Sequence, residues 1–300
     1  MSILRRWKAK AVRFVFDYFI LTKIGYPVDG LGESRDEERI LPTTAGPVRA
    51  LIHRPAKGEG AALPVFVNIH GGGFVFGLPE HDAVFCRRIA ARVGCVVVNL
   101  DYARAPEHPF PVAPDQCYAA VDWLAEHAAE LGIDAGRIAV GGHSAGGNLT
   151  AHVVAEAKAR GGPKICLQIL DYPYTDAATP TTAKQARIAK PLLTPGLMNL
   201  FNDCYLPRPA QATDPRVSPL LAPLESLRGL PPALVITAEY DVLRDEGDAY
   251  AARLMEAGVA VRHEVYPGAD HAFTHIGPKA PADAAWALME DCLRQAFQLN

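Results

Sequence analysis

The 300-residue sequence has no surplus of charge of one sign: 30 Lys and Arg stand against 33 Asp and Glu, a net charge of −3. Neutralising phosphates along a nucleic acid takes a basic surplus, so nucleic acid is not an expected partner. Cysteine is scarce. The six residues Cys86, Cys95, Cys117, Cys166, Cys204 and Cys292 lie 9, 22, 49, 38 and 88 positions apart, never in the close pairs of zinc or redox motifs. They read as free thiols, small core residues suited to a reducing cytoplasm rather than a disulfide framework. Nucleotide signatures are missing too: the chain contains neither Gly-x-Gly-x-x-Gly nor Gly-Lys-Ser/Thr. No His-Glu-x-x-His occurs, and the turn at Gly268 argues against a helix presenting His271 and His275 to an ion, so neither metal nor organic cofactor is expected. No repeat and no low-complexity tract appears.

Long apolar runs are also absent. Near the start, Arg5, Arg6, Lys8 and Lys10 precede an apolar-rich stretch, but Arg13 and Asp17 break it far short of the ~20 residues that span a bilayer, and no small-x-small cleavage site follows. Neither membrane insertion nor secretion is expected. An amphipathic helix is, with Trp7, Val12, Val15, Phe16, Phe19 and Ile20 on one side, packed on the body of the protein rather than on anionic lipid.

What the chain does have is 49% hydrophobic residues, enough to bury a large core and to exclude wholesale disorder. After a charged, turn-like segment at 29–38, short β-rich apolar runs at 48–52, 65–69, 95–100, 137–140, 166–170, 234–237 and 262–266 alternate with helical patterns at 83–93, 116–131, 145–159, 246–257 and 282–297. That alternation predicts an α/β fold, a mostly parallel central sheet with helices on both faces. Residues 172–232 interrupt it with many prolines and no strand pattern, but with helical stretches near 197–202 and 221–227. A long excursion of this kind commonly covers a site, and with the N-terminal helix it is expected to form a helical cap. The expected division is cap at 1–46, core at 47–175, inserted cap at 176–226 and core at 227–300.

Chemistry concentrates at strand ends. Gly142-His143-Ser144-Ala145-Gly146 joins an apolar strand to a helix, the context of a nucleophile elbow in which flanking glycines permit a tight turn and the serine hydroxyl projects from it. Upstream, the strand at 65–69 runs into His70-Gly71-Gly72-Gly73-Phe74, a glycine run with backbone amides free to meet an oxyanion. Downstream, the strand at 234–237 ends near Glu239 and Asp241, and the strand at 262–266 ends in a Pro-Gly turn before Asp270 and His271. Ser144, Asp241 and His271 thus follow one another in the order nucleophile, carboxylate, base. Asp241 is also placed to cap a helix near Asp245, and Asp270 competes as partner of His271, but adjacent side chains diverge and Asp241 is the better acceptor. The remaining histidines His53, His81, His108, His127, His152 and His263 stand isolated and are expected at the surface or as caps.

These residues resemble the hormone-sensitive-lipase group of α/β-hydrolase esterases. The resemblance covers nearly the whole core: His70 to Phe74, the stretch Asp101 to Pro111, the serine motif, Asp214 to Pro219, Leu230 to Gly247, and Asp270-His271-Ala272-Phe273. It implies an α/β-hydrolase fold with a helical cap, and a cofactor-independent carboxylesterase with Ser144 as nucleophile, Asp241 as acid and His271 as base. Gly72, Gly73 and Ala145 would supply the oxyanion amides. The chain departs from the group in having His143 where an acidic residue or threonine usually precedes the serine, Ala272 where glycine usually follows the histidine, and Val242 where proline usually follows the acid. The expected substrate is a small-molecule ester of short to medium acyl chain, with Phe19, Leu197, Met198 and Phe201 lining its pocket. An amidase, lactonase or formamidase with the same triad, and a receptor-like binding protein, remain as alternatives, and a homodimer is possible.

Overall fold

Strands rich in Val and Ile with no polar alternation must be covered on both faces, and the central strands of this chain are of that kind. The computed structural model describes residues 7, 10, 11, 13, 14, 17 and 18, then 34–56 and 62–299. Its strands are β1 (Ser34–Thr43), β2 (Gly46–Pro55), β3 (Leu63–Ile69), β4 (Val96–Asp101), β5 (Ile133–His143), β6 (Ile165–Asp171), β7 (Ala233–Ala238) and β8 (Val261–Tyr266). They form one eight-stranded sheet in the order β1-β2-β4-β3-β5-β6-β7-β8. The pairs from β4 through β8 are parallel, while β1 and β2 add an antiparallel edge.

Residue parity along each strand decides which layer it meets. In β3 and β4, Val65, Val67, Ile69, Val96, Val98 and Leu100 face one core, shared with the helices α2 (Val112–Glu126), α3 (Ala128–Leu131) and α4 (Ala145–Arg160). Phe66 and Val97 face the opposite core with α1 (Pro79–Ile89) and the C-terminal helix (Lys279–Ala296), whose Trp286 stacks on Phe85 at 4.6 Å. The reversal of strand order on either side of β3 opens a crevice at the carboxyl ends of the parallel strands, where such sheets bind their ligands.

Two expectations are corrected here. The charged segment at 29–38, read as turn-like, belongs from Ser34 onward to strand β1, and the full register of β1 with β2 makes residues 34–43 part of the sheet. It gave no strand pattern because an edge strand carries charge rather than apolar alternation; Asp36 pairs with Arg87 at 2.6 Å and with His53 at 2.8 Å. The second correction concerns histidines expected at the surface or as caps: His53 and His152 are buried and cap nothing, whereas His81, also buried, does cap α1 by accepting from the Leu78 N–H at 3.2 Å.

Between β6 and β7 the described chain forms no strand. It contains α5 (Pro195–Tyr205), a short helix α6 (Leu224–Leu227) and tight 3-10 turns, and α7 (Arg244–Glu256) follows β7. In α5, Pro195 opens the helix, the Thr194 hydroxyl caps it by accepting from the Leu197 N–H at 3.3 Å, and Met198, Phe201 and Tyr205 form a buried stripe at helical spacing. Tyr205 stacks on Phe74 at 3.9 Å, which ties α5 to the loop after β3.

Of the N-terminal stretch, the described residues are helical, and their polar side chains make the contacts: Arg13 Nε donates to the Val75 carbonyl at 2.7 Å, and Asp17 accepts from the Gly77 N–H at 3.0 Å. Trp7, expected on the packed side, is exposed. Val12, Val15, Phe16, Phe19 and Ile20 lie outside the described residues.

Candidate active site

Beta strand β5 ends at His143 and α4 starts at Ala145, so the whole change of direction falls on Ser144, which takes φ 55° and ψ −116°. A non-glycine residue is held in so sparse a region only where its surroundings leave no other choice. Here they do: a Cβ on Gly142 or on Gly146 would run into the Ile69 carbonyl oxygen, so both flanks of the turn press on the end of β3. The Ser144 N–H donates to the Asp171 carbonyl at 2.9 Å, and its own carbonyl accepts from the Tyr174 N–H at 3.1 Å. The hydroxyl is the part of the residue left to face the crevice.

His271 meets it. Its Nε2 lies 3.0 Å from Ser144 Oγ, and its Nδ1 lies 2.8 Å from Asp241 Oδ2. The residues come from the turns after β5, β7 and β8, which the parallel sheet brings to one rim. The other oxygen of Asp241 accepts from the Leu243 N–H at 2.9 Å, so the carboxylate serves its local turn and the imidazole together. Asp270, the competing carboxylate, instead accepts from the Leu192 N–H at 2.8 Å, and Glu239 accepts from the Gly268 N–H at 2.7 Å. Burial alone would lower the pKa of His271; the charge and hydrogen bond of Asp241 outweigh it and raise the imidazole above its ordinary value. Ala272 takes φ 62°, a conformation that favours glycine and costs alanine about 1 kcal/mol.

Ser144 and His271 open on a cavity of about 270 Å³. Gly72, Gly73 and Ala145 line it on the same side, with Gly72 at φ 110° and Gly73 at φ 58°. Leu197, Met198 and Phe201 line it from α5, together with Leu192 and Leu193. Phe19 is outside the described residues.

A second polar group lines the cavity that sequence reasoning missed. Asp82 from α1, His143 from the elbow and His275 from α8 (Phe273–Ile276) bring a carboxylate oxygen and two ring nitrogens within 4.8 Å of one another. Sixty-odd and then over a hundred residues separate them, and only His143, standing where the group usually has an acid, carried a signal. Burial would raise the Asp82 carboxyl, but the two imidazoles beside it hold it below the ordinary carboxylate range.

A family model described as alpha/beta hydrolase fold matches residues 66–275, most of the chain and all of the cavity-lining residues named above. The chain belongs to the α/β-hydrolase family, in its hormone-sensitive-lipase group. This α/β hydrolase is 44% identical to the carboxylic ester hydrolase LipN of Mycobacterium tuberculosis over 79% of its own length and 63% of LipN, so it spans a little under two thirds of that relative. It is 39% identical to the carboxylesterase NlhH of the same species, over 88% of this chain and 83% of NlhH. Among solved structures, a hyperthermophilic esterase from the archaeon Pyrobaculum calidifontis superposes with a TM-score of 0.86 at 38% identity, covering 96% of this chain and 91% of the other. No described helix is long and apolar enough to cross a membrane.

Proposed function

We propose that this carboxylic ester hydrolase of the α/β-hydrolase family works through an acyl-enzyme on Ser144. The 3.0 Å approach of Ser144 Oγ to His271 Nε2, with Asp241 behind it, is the observation that carries the reading. His271 takes the hydroxyl proton as Ser144 Oγ attacks the acyl carbon, and the carbonyl electron pair moves onto oxygen. The N–H groups of Gly72, Gly73 and Ala145 receive that oxyanion, an interaction for which losing one donor typically costs about 3–4 kcal/mol in the transition state. Collapse of the intermediate breaks the acyl–oxygen bond, and His271 gives its proton to the departing alcohol. Water then enters; His271 accepts its proton, the hydroxyl attacks the acyl carbon, and Ser144 leaves with the proton returned. Asp241 keeps the imidazole in the tautomer with Nδ1 protonated and balances the imidazolium in both halves. No metal or organic cofactor is required by these steps.

The apolar lining of the cavity by Leu192, Leu193, Leu197, Met198 and Phe201 supports a substrate of short to medium acyl chain, bound through hydrocarbon rather than through charge. Residues 176–226 act as the inserted part of the cap over it. Six free thiols, five of them buried, fit a cytoplasmic enzyme. Nitrophenyl esters from acetate to palmitate, run beside the matching anilides, test the proposal: turnover should peak among the shorter esters and be far slower on anilides. Cleavage of anilides without ester turnover would replace it with an amidase.

A further inference from the structure

We infer that His143 is a positioning residue, whose neutral imidazole locks the glycine loop after β3 to the nucleophile elbow and so fixes the oxyanion amides. The inference rests on the roles just assigned to Ser144, Gly72 and Gly73. The Gly71 N–H donates to His143 Nε2 at 2.9 Å, across 72 positions of sequence. The ring abuts that backbone: a Cβ on Gly71 would fall 2.6 Å from His143 Cδ2 and 2.8 Å from Nε2. Gly71 directly precedes the two amides drawn from the loop, and His143 directly precedes the serine whose successor supplies the third. This hydrogen bond therefore adds a directional tie between two halves of one binding site beyond the close packing of Gly142 and Gly146 on β3, and preorganised donors stabilise a transition state only when their distance is held.

The surroundings of His143 dictate its protonation. Because Nε2 accepts from an amide, the neutral ring carries its proton on Nδ1. Nδ1 faces the Asp82 carboxylate, whose Oδ2 is 3.6 Å away and is held by the Asn68 amide at 2.7 Å. Asp82 Oδ1 lies 3.4 Å from His275 Nε2, and the His275 ring lies 4.0 Å from the His143 ring, centre to centre. The Tyr172 hydroxyl lies 2.9 Å from His275 Nδ1, which fixes that ring in turn. Of the titratable groups facing His143, only Asp82 favours its charged form; burial, His275, His70 and His271 oppose it and push its pKa well below the ordinary value. The acceptor on Nε2 is thus retained where the enzyme works. The same tautomer argues against a cation among Asp82, His143 and His275, since an ion on Nδ1 would need that proton removed while the Nε2 lone pair is already engaged by Gly71.

Two substitutions separate positioning from bulk: His143→Leu fills the site without an acceptor, and His143→Gln offers a side-chain oxygen to the Gly71 N–H. Each is assayed for kcat and KM on a short nitrophenyl ester, and for affinity toward a trifluoromethyl ketone, which forms a tetrahedral adduct with serine. We expect His143→Leu to lower kcat about 10- to 100-fold with KM within about twofold, to weaken the ketone by the same factor, and to be largely rescued in His143→Gln. Unchanged kcat and ketone affinity in a folded His143→Leu, a loss confined to KM, or no rescue by His143→Gln overturns the inference. Should His143→Leu not fold, nitrogen NMR of histidine-labelled wild-type protein still decides: Nδ1 protonated and Nε2 bare at His143 supports it, and the opposite tautomer overturns it. Ser144→Ala distinguishes the two layers, because a dead Ser144→Ala beside a normal His143→Leu removes only this inference, whereas an active Ser144→Ala removes the mechanism beneath it.

Discussion

The two walls of the cavity are held by different forces. On the sheet side, the Ser144 backbone is pinned by Asp171 and Tyr174, the glycines around it press on the Ile69 carbonyl, and Gly71 is tied to His143, so backbone hydrogen bonds and close packing leave each group one place to be. On the α5 side, Leu192, Leu193, Leu197, Met198 and Phe201 meet the cavity with side chains of carbon or sulfur alone, and the polar Asn202 beside them spends its amide oxygen on the Tyr174 hydroxyl at 2.9 Å. The first wall can hold reacting atoms to a fraction of an ångström, as charge development requires. The second can be recut one side chain at a time with modest effect, because a hydrophobic pocket discriminates a missing methylene by only about 1–3 kcal/mol. Reaction type should therefore be sensitive to the sheet wall and substrate choice to the helical wall.

The sharpest way to break this contrast is on the sheet wall. Asp241→Asn should leave the fold intact and lower kcat by about 10⁴-fold, because the amide favours the wrong imidazole tautomer at His271; a loss of tenfold or less, read from initial rates on a nitrophenyl ester, would mean that the 2.8 Å contact does not govern the base. A milder probe is pH. His271 must be neutral to accept the serine proton, and Asp241 raises its pKa, so kcat/KM should fall about tenfold per pH unit below an inflection lying above the ordinary histidine value of about 6.5. An inflection below that value would place the titration on another group. The smallest effect belongs to the helical wall: Met198→Ala or Leu197→Ala should shift the preferred acyl chain toward longer esters by several-fold in relative kcat/KM, with the short-chain kcat nearly unchanged. A large fall in short-chain kcat without a shift in preference would erase the distinction between the walls.

How much of this was legible in the sequence follows the same division. Segments that end buried parallel strands announce themselves, since a run such as Leu234 to Thr237 can hardly be anything else and the polar residues just after it must lie at the sheet's end. The positions of Ser144, Asp241 and His271 could be read that way. Strand β1 could not, because Ser34, Arg35, Asp36, Glu37 and Glu38 form an exposed edge whose partners are charges on distant residues. Nor could the meeting of Asp82, His143 and His275, which no motif encodes and which exists only once α1 and α8 pack around the end of β5. His53 and His152 were likewise misjudged because isolation along the chain says nothing of what folds over a residue.

The acyl-enzyme mechanism requires that Ser144 Oγ be the atom that bonds to the acyl group. Incubating the protein with a fluorophosphonate and mapping the adduct by peptide mass spectrometry tests this directly. The account predicts stoichiometric modification of Ser144, complete loss of ester hydrolysis in step with labelling, and neither labelling nor measurable turnover in Ser144→Ala, a fall of about 10⁶-fold in kcat. Hydrolysis that survives full modification of Ser144, or an adduct formed on a different residue while activity is lost, would contradict it.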